Sequence, residues 1–155
     1  MTNILDSIKN DVKFTHRPTA VPIGARMSYR IAQICLILYF GNEGRQSSSI
    51  FKIQLTSNTL FNSREWEKLL NYAKTRSLNV LVTPRIDPCI NTALQFAIKY
   101  GLCSQATTNK RYKLTRLGKH YAQAIIDDRI MQKEIAMLQA LGTSLTEEAI
   151  EQLYL

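Results

Sequence analysis

Cysteine, glycine, proline and acidic side chains are all scarce in this sequence, and each shortage removes a class of protein. The 155 residues hold three cysteines, Cys35, Cys89 and Cys103, with no C-x-x-C pair. An odd number at wide spacing argues against a disulfide scaffold or a zinc ribbon and fits a reducing cytosol. The three read as small core residues. Six glycines and four prolines are too few for a collagenous or low-complexity chain. Long apolar runs are missing too. The longest, Ile31 to Phe40, is broken by Gln33 and is about half the length that crosses a bilayer, so it reads as a buried helix. Residues 1 to 13 carry Asp6 and Asp11 and lack the apolar stretch of a signal peptide. A cytoplasmic protein without membrane contact is the expectation.

Catalytic patterns are equally sparse. His16 and His120 stand alone, with no second ligand at metal-binding spacing and no nucleophile beside them. Ser49-x-x-Lys52 has the serine and lysine spacing of penicillin-binding enzymes without the companion motifs, and a helix cap explains Ser49 adequately. Glu65 and Glu67 near Lys68 suggest a nuclease, yet Trp66 stands where an acid is needed two residues before the lysine. There is no G-x-x-x-x-G-K-[ST], so any nucleotide hydrolysis belongs to a partner. No enzyme activity, metal or cofactor is expected.

What the chain does hold is an ordinary globular balance, 45% hydrophobic and 21% charged, in one domain long enough to bury roughly 70% of its unfolded surface. Its charge is lopsided. Twenty Lys and Arg against twelve Asp and Glu give +8. Residues 1–126 carry 18 basic and 6 acidic side chains, a balance of +12, whereas residues 127–155 carry 2 and 6, a balance of −4. Such a division predicts a basic surface for a polyanion and an acidic end for something else.

Residues 1–27 read as a basic extended arm, because Pro18 and Pro22 exclude helix between Arg17 and Arg26. Residues 28–126 hold the domain. Ser28 is the candidate cap of a first helix that is apolar all round until Gly41 and Gly44, the signature of a central helix. Ser47 to Ser49 cap a second, to about Phe61. Asn62 with Glu65 opens a third, carrying Trp66, Leu69, Leu70 and Ala73 at helical spacing. Val80, Leu81 and Val82 suit a short strand or extended connection. Asp87 followed by Pro88 starts a fourth helix that Gly101 closes. Leu102–Gln105 and Lys110–Leu114 flank Ala106-Thr107-Thr108-Asn109 as a β-hairpin. Thr115 caps a fifth, long helix of about 26 residues to Gly142, on which Leu117, Ala124, Met131 and Leu138 recur every seven residues, although Asp128 occupies one apolar slot. Ser144 with Glu147 makes a last capping box. Residues 127–155 read as a C-terminal helical extension for partner contact.

The fold class is therefore mainly α with a small β-hairpin, in the order of a winged helix-turn-helix with a long C-terminal helix. The helix before the hairpin is the usual recognition helix. It offers Asn91, Thr92, Gln95 and Lys99, of which Asn91 and Gln95 carry amides suited to base edges, although such residues also serve as ordinary solvent-facing side chains. The hairpin is the stronger signal. Lys99, Lys110, Arg111, Lys113, Arg116 and Lys119 place six positive charges between positions 99 and 120 with no acid among them, a pattern for phosphate contact. A solvated basic surface and an acidic protein partner remain alternatives. On the long helix, Met131, Ile135, Leu138 and Leu141 are the candidate partner seam, for a homodimer or for another protein.

The stretches Asp87-Pro88-Cys89-Ile90-Asn91-Thr92-Ala93-Leu94, Tyr100-Gly101-Leu102 and Arg111-Tyr112-Lys113-Leu114-Thr115-Arg116-Leu117-Gly118-Lys119 look like the helix, wing and Y-x-L-T-x-x-G closing turn of many winged-helix domains. With the proline-bearing arm and the tail helix, the chain resembles the small middle component of bacterial ABC-three-component systems, including Lamassu-type defence operons. Those subunits are similar to the kite-type winged-helix subunits of SMC complexes. The resemblance implies a non-catalytic accessory protein that binds an SMC-like coiled-coil ATPase and helps it engage DNA, in defence against phage or plasmids. A free-standing dimeric DNA-binding regulator is the alternative.

Overall fold

The computed structural model describes residues 20–41, 47–77 and 85–154. The Val80–Val82 segment and the arm up to residue 19 lie outside them. A 3-10 turn, Ile23–Ala25, leads into α1 (Met27–Gly41), α2 (Ile50–Leu60), α3 (Ser63–Thr75) and α4 (Pro88–Lys99). Strands β1 (Cys103–Gln105) and β2 (Tyr112–Leu114) follow, and then α5 (Arg116–Asp127), α6 (Gln132–Leu141) and α7 (Glu147–Tyr154). The chain is mainly helical with one small antiparallel hairpin.

α1 is the axle of the molecule. Ten consecutive residues, Tyr29 to Leu38, are buried, because α2, α4, α5, α6 and β2 all pack around it. An apolar run with no polar face has no stable position except between neighbours. Its two polar members, Arg30 and Gln33, are satisfied internally. Arg30 donates to the Gly24 carbonyl (2.6 Å), to Ser57 Oγ (3.1 Å) and to Asp87 Oδ2 (2.7 Å), and Phe61 lies 4.6 Å from its guanidinium carbon. Gln33 Oε1 accepts from the Ser57 hydroxyl at 2.6 Å. The bond to Gly24 also fastens residues 20–26 against α1, so this end of the basic arm is part of the fold.

Four of the expected caps form. Ser49 accepts from the Lys52 N–H, Asn62 from Arg64 and Glu65, Asp87 from Cys89, and Thr115 from Gly118. Two do not. α1 begins at Met27, which leaves Ser28 within its first turn. The last helix takes its cap from Thr146, which accepts the Ala149 N–H at 3.3 Å, while Glu147 reaches away to the Ser49 N–H at 2.9 Å.

The long C-terminal helix is replaced by two helices. α5 ends at Asp127, and Arg129 and Met131 take left-handed backbone angles, φ 54° and 56°, which turn α6 back onto α1 and α3. Each such residue costs about 1–2 kcal/mol. The turn sinks Ile135, Leu138, Leu141 and Leu145 into the core, at about 1.5–3 kcal/mol for each fully buried side chain, so folding back wins. Residues 127–154 consequently do not protrude: one continuous core runs from Ile31 to Ile150.

Candidate nucleic-acid interface

Strands of three residues cannot hold a hairpin alone, and here three anchors hold it. The register pairs Cys103 with Leu114, Ser104 with Lys113 and Gln105 with Tyr112. Beyond β2, Ser48 makes a bridge to Tyr112, with both N–H···O distances 2.8 Å, so the residue entering α2 acts as a third strand. Inside, Leu114 and Cys103 are buried. At the exit, Thr115 donates to the Gly101 carbonyl while accepting the Gly118 N–H at 3.1 Å. Gly118 has no room for a side chain, since a Cβ there would lie 1.9 Å from the Leu102 carbonyl oxygen. The T-x-x-G pattern is thus a clamp in which Thr caps α5 and Gly lets its first turn touch the backbone entering β1.

The turn closes with Lys110 in the left-handed region at φ 53°. The Lys110 N–H bonds the Ala106 carbonyl (3.0 Å) and the Arg111 N–H bonds Asn109 Oδ1 (3.1 Å). Asn109 therefore shapes the tip. Lys110, Lys113, Arg116 and Lys119 are exposed along the hairpin and the first turn of α5, and Lys99 is exposed where α4 ends. Among the described residues none of these five forms an ion pair within 4 Å.

Arg111, also in no ion pair within 4 Å among the described residues, differs from them in its burial. It is half-buried and lines a groove of about 500 Å³ with Phe51, Glu147, Ile150, Glu151 and Tyr154. Folding brings Glu147 and Glu151 of the acidic end into the same groove as Arg111, with no ion pair within 4 Å among the described residues. The Glu148 carboxyl is held below its ordinary range, first by its own backbone N–H and the Thr146 hydroxyl, with Arg111 and Arg76 adding to the effect. Behind the groove, burial pushes the Lys52 ammonium below the usual lysine value; Glu147 opposes that shift and Arg111 reinforces it.

On α4, Asn91 and Gln95 are exposed, but Asn91 Oδ1 already accepts from Gln54 Nε2 at 3.1 Å. Gln54 also bonds the Asp87 backbone in both directions, at 2.9 and 3.0 Å. This network, joined to Arg30 through Asp87, seats the start of α4 and was not foreseen from sequence. Gln33 interrupting an apolar run was its visible trace.

The candidate partner seam is not a surface. Ile135, Leu138 and Leu141 are buried beside α1 and α3, and Met131 packs half-buried on the same core. Cys35 and Cys103 are buried and Cys89 is exposed. Contact with the Cys103 side chain and burial raise the Cys35 thiol well above the ordinary range. No helix among the described residues is long and apolar enough to cross a membrane. No group of three or more His, Cys, Asp or Glu among them is placed to hold a metal. Comparison with protein-family models, curated proteins and solved structures finds no match to this chain.

Proposed function

We propose that the chain is a winged-helix accessory subunit without catalysis of its own, which lays its basic hairpin on DNA phosphates and serves an SMC-like coiled-coil ATPase. The observation carrying the DNA contact is the anchored hairpin whose tip and exit present Lys110, Lys113, Arg116 and Lys119 to solvent. A charged flap held at three points keeps its shape on an incoming polyanion. The winged-helix reading draws on the element order and on Ser48 pairing outside β2. The ATPase partner and the role in defence against phage or plasmids rest on the sequence resemblance. The alternative, a dimeric regulator, requires a different dimerisation surface, because the tail seam is packed inside.

Phosphate contact through Lys99, Lys110, Lys113, Arg116 and Lys119 alone gives a slope of log K against log salt of about −4.5 on duplex DNA, at roughly 0.9 per contact. Fluorescence anisotropy with a mixed-sequence duplex tests this. Lys110→Gln/Lys113→Gln should lower the slope by about 1.8 without shifting the thermal midpoint, and unchanged retention would discard the DNA contact. Co-purification of a large coiled-coil ATPase with the tagged chain would support the assembly. An isolated homodimer protecting a palindromic site would favour the regulator.

A further inference from the structure

Exposed apolar side chains occur at several places among the described residues, Ile23, Ile86 and Ile130 included, and three of them come at the junction of α4 and α5. Phe96 is 36% exposed, Tyr100 61% and Leu117 58%. The two rings stack with centroids 6.2 Å apart and planes 20° from parallel. Leu117 lies beside Gly101, the residue that follows Tyr100: its Cδ2 is 3.9 Å from where a Cβ on Gly101 would stand. Three large apolar side chains left in water at one place mark a contact surface, and aromatic anchors dominate such contacts.

The rim selects the occupant. Lys99, Arg116 and Lys119 surround the junction in sequence, are all exposed, and no Asp or Glu occurs from position 88 to 126. A second copy docking through the same face would set like charges against each other. Duplex DNA would satisfy the cations but meets Phe96, Tyr100 and Leu117 with hydrated phosphate. An amphipathic helix with an apolar stripe flanked by Asp and Glu matches both centre and rim.

We propose that the ends of α4 and α5 dock an acidic amphipathic helix of a partner protein, with Phe96, Tyr100 and Leu117 as anchors and Lys99, Arg116 and Lys119 as its rim. This goes beyond the accessory-subunit reading, since it requires neither DNA nor an ATPase; Lys99, Arg116 and Lys119 are shared with the DNA contact proposed above, so helix and duplex compete for them. Panning a displayed library of helical peptides against the full chain tests it. Enriched peptides should carry Leu, Phe or Met at i, i+3 or i+4, and i+7, with flanking Glu and Asp. They should lose at least tenfold in affinity for Tyr100→Ser/Leu117→Ser at an unchanged thermal midpoint. As a second variant that leaves the apolar centre intact, Lys99→Glu/Lys119→Glu should weaken the same peptides, and Glu→Lys versions of those peptides should regain binding to it. No enrichment, or peptides indifferent to both variants, would overturn the proposal. So would oligothymidine retention that falls with Tyr100→Ser while the peptides fail to compete, which would assign the stacked rings to single-stranded nucleic acid.

Discussion

At Gly118 the missing side chain matters more than any side chain nearby. Alanine in a helix is ordinarily better than glycine by about 1 kcal/mol. Here the added carbon would meet the Leu102 carbonyl oxygen at 1.9 Å, a backbone atom that moves only with the hairpin. The clash outweighs the propensity, and Gly118→Ala should destabilise the chain by about 2–3 kcal/mol in urea unfolding. Lys52 presents the opposite case, a charge that burial disfavours although its ammonium donates to the Gly41 carbonyl at 3.3 Å. Burial lowers its pKa, so the unfolded chain binds that proton more tightly than the folded one does. Its contribution to stability therefore rises with pH through the alkaline range towards the ordinary lysine value. Tyr29, Tyr112, Tyr121 and Tyr154, raised chiefly by burial, oppose this above the ordinary tyrosine value. The difference between Lys52→Met and the parent isolates the lysine. Relative to the parent, the variant should lose ground as pH rises towards the ordinary lysine value, because the parent sheds that proton and the variant has none to shed.

Among the elements, α4 depends most on a single residue. Asp87 caps it and also pairs with Arg30 at 2.7 Å. Asp87→Ala removes a cap worth about 1 kcal/mol and leaves a buried guanidinium without its anion. The loss in urea unfolding should reach about 3 kcal/mol, while Asp87→Asn, which keeps the cap, should lose less. The cap and the following proline were legible because capping is local: a short polar side chain, the next residue and a run of apolar spacing suffice. The long helix was misread because a sevenfold repeat describes spacing without naming the buried side. On α5 the buried set is Gly118, Ala122 and Ile125, while Leu117 and Ala124, members of the repeat, face solvent. Asp127 and Asp128, poor residues for a helix interior, were the available sign of a break. Ser144 lost its cap role to Thr146 because Glu147 found a partner in another element.

Over the whole molecule, the two charge blocks meet at Arg111. In sequence the six cations stand alone; in space α7 brings Glu147, Glu148 and Glu151 to one of them. No local pattern foretells a contact across more than thirty residues, so the hairpin was legible and its partial neutralisation was not. Glu148→Gln/Glu151→Gln should remove acidic charge near Arg111, raising duplex affinity at low salt and steepening the salt slope by up to about 0.9, as read by anisotropy. An unchanged slope would mean that Arg111 stays committed to the groove.

The hairpin's anchors divide the chain into places where length is fixed and a place where it is free. An inserted residue between Tyr112 and Gly118 would throw out of step both the Ser48 bridge and the threonine-glycine clamp. At Thr107 and Thr108, before the Asn109 side chain that shapes the tip, neither constraint applies. Related chains that differ in reach towards their ligand should therefore vary in size at this tip, and a grafted loop or reporter belongs there.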